Sequence, residues 1–202
     1  MPPTTKGRRT EAAFLDAART IFAEKGYLNT KISDIAEAAG RSTGSFYNYY
    51  DNKEQLLEAL LDEFSTEVVQ ASATGKHTDP EEGVRAAVTA YYTQYKKYLP
   101  EIIGLFQMSM LDDGFRRRWL ANRSSGIEQI LRGLESATRA GYQIGLPLNL
   151  LASALVSTLE YTCWTWLVAG GDNDMEQPDD ETAINILTAI WYRTVFGPGT
   201  AD

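Results

Sequence analysis

The side chains in this sequence that are best suited to a chemical role are polar groups able to bind a partner molecule. They concentrate in one short segment. A helix predicted over residues 43–49 opens with three small residues, Thr43, Gly44 and Ser45. Small side chains let a helix approach base edges closely in the major groove of DNA. Tyr47 and Tyr49 then point to different sides of the helix, and each hydroxyl can reach a phosphate oxygen. The segment therefore predicts contact with a nucleic acid.

Two predicted helix starts flank this segment and add anion-binding groups. Lys53 lies in the first turn of a fourth helix, where outward-pointing backbone N–H groups bind anions. Thr30 and Lys31 place the same chemistry at the start of the second helix. Phe46 and Tyr50 are interpreted instead as apolar side chains that hold the helices together. The predicted site thus combines base-reading groups with phosphate-binding groups.

The sequence lacks the residue patterns that catalysis or metal binding would require. His77 is the single histidine, and helical spacing places no acid beside it. Cys163 is the single cysteine and lies in an apolar run, where a thiol usually packs and does not react. One His and one Cys cannot make a zinc cluster of the usual kind, and no phosphate loop or dinucleotide fingerprint is present. We predict no enzyme, no metal and no cofactor.

The elements that must position these groups are all helical. Apolar residues recur with helical spacing in eight segments beyond the short one, over residues 11–25, 30–39, 51–72, 80–99, 101–110, 115–140, 148–169 and 180–196. Four residues are predicted to cap helix starts, namely Thr10, Thr30, Ser42 and Asp51, the last with Glu54 as its reciprocal partner. Gly26 and Gly40 are predicted to end the first two helices, and Pro100 the fifth. No strand alternation of useful length occurs, so the fold class is all-α.

Charge separates the start of the chain from the rest. The whole chain has a formal net charge of −8, yet residues 1–50 hold seven basic and five acidic side chains. The acidity therefore lies after residue 50 and does not exclude DNA as a partner. We expect residues 1–50 to form a helix-turn-helix DNA-binding domain and residues 51–79 a connecting helix and linker. Residues 80–202 are expected to form a larger helical domain for ligand binding and dimerisation.

The segment TKISDIAEAAGRSTGSFYNYYDNKEQLL, residues 30–57, closely resembles the DNA-binding domain of the TetR family of transcriptional regulators. The matching residues are Phe22, Gly26, Tyr27, Thr30, Ile35, Ala36, Ala39, Gly40, Ser42, Gly44, Ser45, Phe46, Tyr47, Tyr49, Tyr50, Lys53, Glu54, Leu56 and Leu57. Arg41 stands where the family usually has an aliphatic residue. The resemblance implies that Thr43 and Asn48 carry the sequence preference. The candidate DNA-binding residues are Thr30, Lys31, Arg41, Ser42, Thr43, Gly44, Ser45, Tyr47, Asn48, Tyr49 and Lys53.

The last two predicted helices, over residues 148–169 and 180–196, are apolar on more than one face. A helix that is apolar all round is enclosed by its own domain and by something else. We expect the second enclosure to come from a second copy of the chain, with two helices from each subunit forming a four-helix bundle. A twofold dimer implies a pseudo-palindromic double-stranded DNA operator.

Aromatic side chains are frequent after residue 90, where core packing and a ligand pocket are both open interpretations. The segments 151–167 and 189–197 resemble, more weakly, the lipophilic-ligand branch of the family represented by the mycobacterial ethionamide-resistance repressor. That resemblance implies an apolar pocket for a small lipophilic or aromatic effector. The candidate ligand-binding residues are Tyr91, Tyr95, Phe106, Met110, Trp119, Glu160, Trp164 and Trp191. Val156 and Leu159 stand where that relative has polar amides, so hydrogen bonds to a ligand are not expected there.

Glu160 is an acid among apolar neighbours, so it must be paired, hydrogen-bonded or protonated. One interpretation is an internal ion pair with Arg139 or Arg85, or a hydrogen bond from a tyrosine hydroxyl. The other is a polar handle for a cationic lipophilic ligand, assisted by aromatic faces. The apolar run around it, residues 146–170, is long enough to cross a bilayer, but its polar residues favour a buried core helix.

These patterns together predict a ligand-responsive, dimeric transcriptional repressor that an effector releases from its operator. No signal peptide is visible at the start and no membrane partner is expected, so we predict a cytoplasmic protein. The alternative function is a helical protein-interaction module that does not bind DNA.

Overall fold

The computed structural model describes residues 5–72 and 79–197, and the described chain is helical, with no strand in it. The helices are α1 (Thr5–Lys25), α2 (Ile32–Ala38), α3 (Thr43–Phe46), α4 (Lys53–Ser72), α5 (Pro80–Lys97), α6 (Leu99–Ser109), α7 (Asp113–Arg139), α8 (Leu148–Leu167) and α9 (Asp180–Phe196). The predicted all-α fold class is confirmed. His77 and the centre of the predicted linker lie outside the described residues. Among the helices that are described, none is both long and apolar enough to cross a membrane.

The chain divides into two compact units, each built from two stretches of sequence. The first unit comprises Met1–Thr66 and Tyr98–Arg117, and the second comprises Glu67–Lys97 and Arg118–Asp202. The boundaries of these units differ from those predicted at residues 50 and 80. The reason is that α6 belongs to the same compact unit as the N-terminal helices. The assignment of separate functions to the three predicted regions stays a prediction.

Two glycines and a serine mark the end of α1 and the turn between α2 and α3, as expected. Gly26 and Gly40 adopt positive φ angles of 73° and 63°, which an L side chain enters only at a cost. Ser42 caps α3, since its Oγ accepts a hydrogen bond of 3.1 Å from the Ser45 backbone N–H. The predicted end of α3 at Tyr49 is wrong, because α3 ends at Phe46 and Tyr47 is its C-cap.

Two predicted N-caps are wrong because their hydroxyls bond backward along the chain. Thr10 lies inside α1, which begins six residues earlier than predicted, and its hydroxyl donates to the Lys6 carbonyl at 3.2 Å. Thr30 precedes the true N-cap of α2, Lys31, and its hydroxyl donates to the Gly26 carbonyl at 2.8 Å. The start of α2 is instead stabilised by Asp34, whose carboxylate accepts from the Lys31 N–H at 3.0 Å. This hydrogen bond lowers the pKa of Asp34.

The predicted cap pair of α4 is displaced by one residue. Asn52, not Asp51, accepts the Gln55 N–H at 2.8 Å through its Oδ1. The Gln55 amide oxygen in turn accepts from the Asp51 N–H at 2.6 Å. Glu54 therefore has no part in this cap, and its carboxylate accepts from the Tyr27 hydroxyl at 3.3 Å.

Proline has the opposite role to the one predicted at the junction of α5 and α6. α5 ends at Lys97, and Pro100 lies in the first turn of α6. A proline is well placed there because the first turn of a helix needs no intrahelical N–H donor. The bounds of α9 agree with the predicted ones, and Asp179 caps it by accepting the Thr182 N–H at 2.8 Å.

Aromatic side chains form the centre of the first unit. Phe14 of α1 meets Phe46 of α3 edge to face, with ring centroids 5.5 Å apart, and neither ring is exposed. Tyr50 is also buried and packs on Phe46. The predicted packing role of Phe46 and Tyr50 is confirmed. Ring contacts thus hold α3, which has only four residues, against α1.

An ion-pair network joins α1, α4 and α6 within the first unit. Arg19 of α1 bonds the carboxylate of Glu63, and its Nε lies 3.9 Å from Oε1 of Glu101, whose side chain is fully buried. The Arg19 guanidinium also lies over the Tyr98 ring, 5.3 Å from its centroid. A charge buried as deeply as that of Glu101 requires a cation nearby, so Arg19 ties α6 to the N-terminal helices.

The second unit has an aliphatic core under α7, α8 and α9. Its buried centre consists of Leu134, Leu151, Ala152, Leu155 and Val195, and Trp191 packs against it. On the surface of the same unit, Lys96 of α5 forms an ion pair of 2.8 Å with Asp180 at the start of α9.

Candidate nucleic-acid interface

The segment around α3 presents its polar residues outward. The exposed residues are Arg41, Ser42, Thr43, Gly44, Tyr47 and Asn48, while Ser45 and Tyr49 are half-buried. Tyr47 is 54% exposed although it carries a large ring, whereas Tyr49 lies 5.8 Å from the Phe14 ring. The structure thus brings eight of the eleven candidate DNA-binding residues onto one short stretch of surface. Their contact with DNA stays a prediction.

Among residues 5–72 and 79–197, nothing in the structure requires residue 44 to be glycine. A Cβ placed on it would meet only the Ser42 Oγ, at 3.9 Å, and Gly44 is not among the residues with positive φ. Glycine is nevertheless a weaker helix former than alanine, by up to about 1 kcal/mol where it lies in a helix interior. A small residue there is useful when something outside the chain comes close to α3, which is how a helix reads the major groove.

Lys53 and Thr30 were predicted to bind phosphate at helix starts. In the structure their polar groups bond within the first unit. The Lys53 ammonium donates to the carbonyl oxygens of Tyr27, at 2.7 Å, and of Thr30, at 2.8 Å. It also lies 4.2 Å from the centroid of the Tyr27 ring. Burial lowers the pKa of Lys53, and Glu54 opposes that shift. Lys53 therefore stabilises the loop that connects α1 and α2.

Thr30 is 3% exposed, so its side chain cannot reach DNA without a change of the loop. Threonine is a common helix cap, which is why Thr30 was predicted to cap α2. Its hydroxyl instead donates to the Gly26 carbonyl. Lys31 beside it is exposed and keeps its predicted place at the start of α2.

A cleft of about 450 Å³ adjoins α3 and includes residues that the sequence analysis did not single out. Its lining comes from the first turns of α1 and from the helix-turn-helix, and consists of Lys6, Gly7, Thr10, Arg41, Ser45, Asn48 and Tyr49. Lys6 was missed because the apolar pattern of α1 begins only after residue 10. The basic run before that pattern was the one available signal.

The candidate ligand-binding residues divide between the two units. Tyr91, Tyr95, Trp119, Glu160, Trp164 and Trp191 belong to the second unit, while Phe106 and Met110 belong to the first. Tyr91 and Tyr95 have ring centroids 5.8 Å apart, and the Tyr95 side chain is buried. Met110 is 70% exposed, so it is not part of an enclosed apolar surface within its unit.

Glu160 forms an ion pair with Arg123, a partner that the sequence analysis did not name. The Arg123 guanidinium bonds the Glu160 carboxylate and also donates to Ser157 Oγ at 2.6 Å and to the Ser153 carbonyl at 3.1 Å. Burial raises the pKa of the Glu160 carboxyl, and the Arg123 charge opposes this. Burial, and secondly the charge of Glu160, raise the pKa of the buried Cys163 thiol to about 12, which disfavours the reactive thiolate.

The two arginines proposed from the sequence as partners of Glu160 are occupied elsewhere. Arg85 bonds the side-chain oxygen of Asn185, and Arg139 lies 4.0 Å from Glu135 on its own helix. Helical spacing identifies neighbours along one helix, and Arg123 lies on α7 while Glu160 lies on α8. The sequence therefore indicated that Glu160 needs a partner but could not identify it.

α8 and α9 each expose apolar side chains. On α8 the exposed fractions are 65% for Leu150 and 74% for Tyr161, and on α9 they are 40% for Ile186 and 44% for Ile190. Small or polar residues, Ala154 and Ser157, fill the α8 face between the first two. Large apolar side chains exposed along a helix are typical of a protein–protein interface.

The first unit thus has the fold of a helix-turn-helix protein with an exposed α3. Residues 14–60 match the family described as bacterial regulatory proteins, tetR family. Residues 14–60 are therefore an N-terminal domain of the TetR family. This match favours a regulator over the alternative of an interaction module that does not bind DNA.

Similarity extends beyond the N-terminal domain. The chain is 32% identical to the transcriptional repressor KstR2 of Rhodococcus jostii over 60% of this chain and 66%, just under two thirds, of that one. It is 24% identical to the transcriptional regulator EthR of Mycolicibacterium smegmatis over 96% and 93% of the two chains. Its fold matches that of the regulator FadR of Bacillus subtilis, solved in complex with stearoyl-CoA, with a TM-score of 0.72 and 17% identity, covering 93% of this chain and 99% of FadR.

Proposed function

We propose that this protein is a ligand-responsive, dimeric repressor that binds a pseudo-palindromic operator through α2 and α3. The observation that carries the proposal is the exposed surface of α3, where Gly44 leaves room for an external partner and Tyr47 stays largely in solvent. The relatives KstR2 and EthR are a repressor and a regulator by name, which supports the same class of function. Since its partner is DNA, we place its action in the cytoplasm.

The dimer is proposed to form through α8 and α9 of each subunit. The exposed apolar side chains of these helices support this. Burying apolar surface stabilises an association by about 25 cal/mol per Å². A twofold axis would place two α3 helices in successive major grooves, about 34–36 Å apart. This spacing is the quantity that an effector has to change.

The effector is proposed to be a small lipophilic or aromatic compound bound by the second unit. The aromatic and apolar side chains of that unit support this, and the FadR structure holds an acyl-CoA. Release from DNA then requires only that the effector prefer the non-binding conformation by a few kcal/mol. Because Arg123 already neutralises Glu160, a cationic group on the effector would have to compete with an internal ion pair.

Replacing Tyr47 with alanine tests the proposed interface. We expect the variant to bind operator DNA at least about tenfold more weakly, since a charge-assisted hydrogen bond to phosphate is worth about 1.5–3 kcal/mol. The measurement is a gel shift with the DNA upstream of the chain's own coding region. Tyr142→Ala is the control, because Tyr142 is a 40% exposed tyrosine of the second unit. Undiminished binding by Tyr47→Ala would contradict the interface.

Lys53→Ala is a poor test of the same interface. Its ammonium stabilises the loop between α1 and α2, so lost binding would also follow from a disturbed loop.

Replacing Glu160 with glutamine separates the two interpretations of that residue. We expect the dissociation constant for a lipophilic cation, tetraphenylphosphonium, to change less than about twofold, because Arg123 neutralises the carboxylate. All four tryptophans belong to the second unit, so their emission reports binding there. Stearoyl-CoA titrated in parallel provides an anionic comparison. A tenfold weaker interaction confined to the cation would instead identify Glu160 as a ligand contact.

A further inference from the structure

The ion pair between Arg123 and Glu160 is held unequally at its two ends. The Arg123 guanidinium donates to the Ser153 carbonyl at 3.1 Å and to the Ser157 hydroxyl oxygen at 2.6 Å. Ser157 itself donates to the Ser153 carbonyl at 2.9 Å, so its oxygen keeps its lone pairs for Arg123. The Arg123 side chain is only 15% exposed and lies 6.0 Å from the centroid of the Trp119 ring. Neutral groups therefore hold Arg123 in place independently of Glu160.

Glu160 is the end of the pair that is more easily released. The contact that fixes its carboxylate is the one with Arg123, and its side chain is 29% exposed. Burial raises the pKa of Glu160, so this carboxyl is protonated more readily than one in water. Arg123 keeps its charge at every pH near neutrality. The pair can thus open by neutralisation of Glu160, with the guanidinium left charged and in place.

Arg123 would then carry the only charge at this position. Within residues 5–72 and 79–197, the titratable and charged groups that face Glu160 are Tyr91 and Tyr95 on α5, Arg123 on α7 and Cys163 on α8. The pKa values of the two tyrosine hydroxyls and of the thiol are raised, chiefly by burial, so these groups stay neutral. A guanidinium surrounded by neutral and aromatic side chains requires an anion.

We propose that Arg123 binds the head group of a lipophilic carboxylate, which displaces the carboxylate of Glu160. The inference rests on the proposed function, because it names the chemical class of the effector. The incoming carboxylate replaces that of Glu160, and Glu160 takes up one proton from solvent, so the net charge of the site is unchanged. A planar guanidinium binds a carboxylate through two parallel hydrogen bonds. A cationic head group would instead meet the charge of Arg123.

The pH dependence of ligand binding tests this exchange. Decanoate and 1-decanol are the probes, since they share an alkyl chain and differ in the head group. Tryptophan emission reports their binding, because all four tryptophans belong to the second unit. Decanoate should bind up to about tenfold more weakly for each unit of pH between about 6 and 8, since binding takes up one proton. Decanesulfonate, which stays ionised, should behave like decanoate, and 1-decanol should bind independently of pH.

Two matched variants isolate the two charges. Glu160→Gln should bind decanoate at least about tenfold more tightly at high pH and lose the pH dependence, because no internal carboxylate competes for Arg123. The double variant Arg123→Gln/Glu160→Gln differs from it in the guanidinium alone and keeps a neutral pair of similar size. It should bind decanoate at least about tenfold more weakly than Glu160→Gln, with unchanged affinity for 1-decanol. Thermal unfolding of both variants checks that they fold.

The outcomes separate this inference from the proposed function. Equal affinity of the single and double variants for decanoate would overturn the role of Arg123. A pH dependence that survives in Glu160→Gln would overturn the proton uptake by Glu160. In either case, 1-decanol that binds and releases the wild-type chain from operator DNA in a gel shift would leave the lipophilic effector standing. A wild-type chain that binds none of the three probes would overturn the lipophilic effector and this inference together.

Discussion

Replacing Phe46 with alanine is expected to lower the free energy of unfolding by about 3–5 kcal/mol and to abolish operator binding. Phe46 has no exposed surface, and its ring contacts those of Phe14, Tyr50 and Tyr47 at centroid distances of 5.5, 5.6 and 5.7 Å. α3 has only four residues, far below the length at which a helix is stable in water. The Phe46 ring is therefore what holds α3 in place.

Denaturant unfolding of the full chain, followed by far-UV circular dichroism, measures this effect. Phe46→Leu should lower the free energy of unfolding much less, because leucine keeps most of the apolar volume. Leu111→Ala is the control in the same unit, since Leu111 is 73% exposed and its truncation should change stability by no more than about 0.5 kcal/mol. A loss below about 1 kcal/mol for Phe46→Ala would show that other contacts position α3.

Replacing Leu150 with aspartate is expected to weaken the proposed dimer at least about 100-fold, which corresponds to roughly 2.7 kcal/mol. Leu150 is 65% exposed, so the substitution leaves the core of the second unit intact. In a dimer through α8, however, the new carboxylate would be buried without a partner, at a cost of several kcal/mol. The variant should also lose cooperative binding to a two-half-site operator.

Sedimentation of the wild-type and variant chains at micromolar concentration provides the measurement. Met175→Asp is the matched control, because Met175 is 72% exposed in the segment between α8 and α9 and lies outside the proposed interface. A Leu150→Asp chain that remains dimeric would place the interface elsewhere. A monomeric wild-type chain would contradict the dimer itself.

Local features of the helix-turn-helix could be predicted from the residues with good accuracy. Gly26, Gly40 and Ser42 occupy the turn and cap positions expected of them, because positive φ and a short hydroxyl cap are properties of one residue and its near neighbours. The predicted cap of α4 was wrong because two candidates compete within two residues. At the start of α4, Asp51 and Asn52 are both good caps, and only the direction of the incoming chain selects Asn52.

Partners across helices could not be predicted in the same way. Periodicity assigns a residue to a face of its own helix but says nothing about which residue of another helix lies opposite. The sequence therefore indicated that Glu160 requires a partner, and the fold supplies Arg123. Lys53 shows the converse case, since its position suggested a phosphate contact and the fold directs its ammonium to two carbonyl oxygens.

The amino-acid sequence was sufficient for the helical class, the helix-turn-helix and the family, because these depend on periodicity, on special backbone positions and on a contiguous motif. The grouping of α6 with the N-terminal helices, the Arg123–Glu160 pair and the cleft between Lys6 and Arg41 depend on which residues meet after folding. Such contacts join positions tens of residues apart, and they arise from packing of whole helices and not from any local preference.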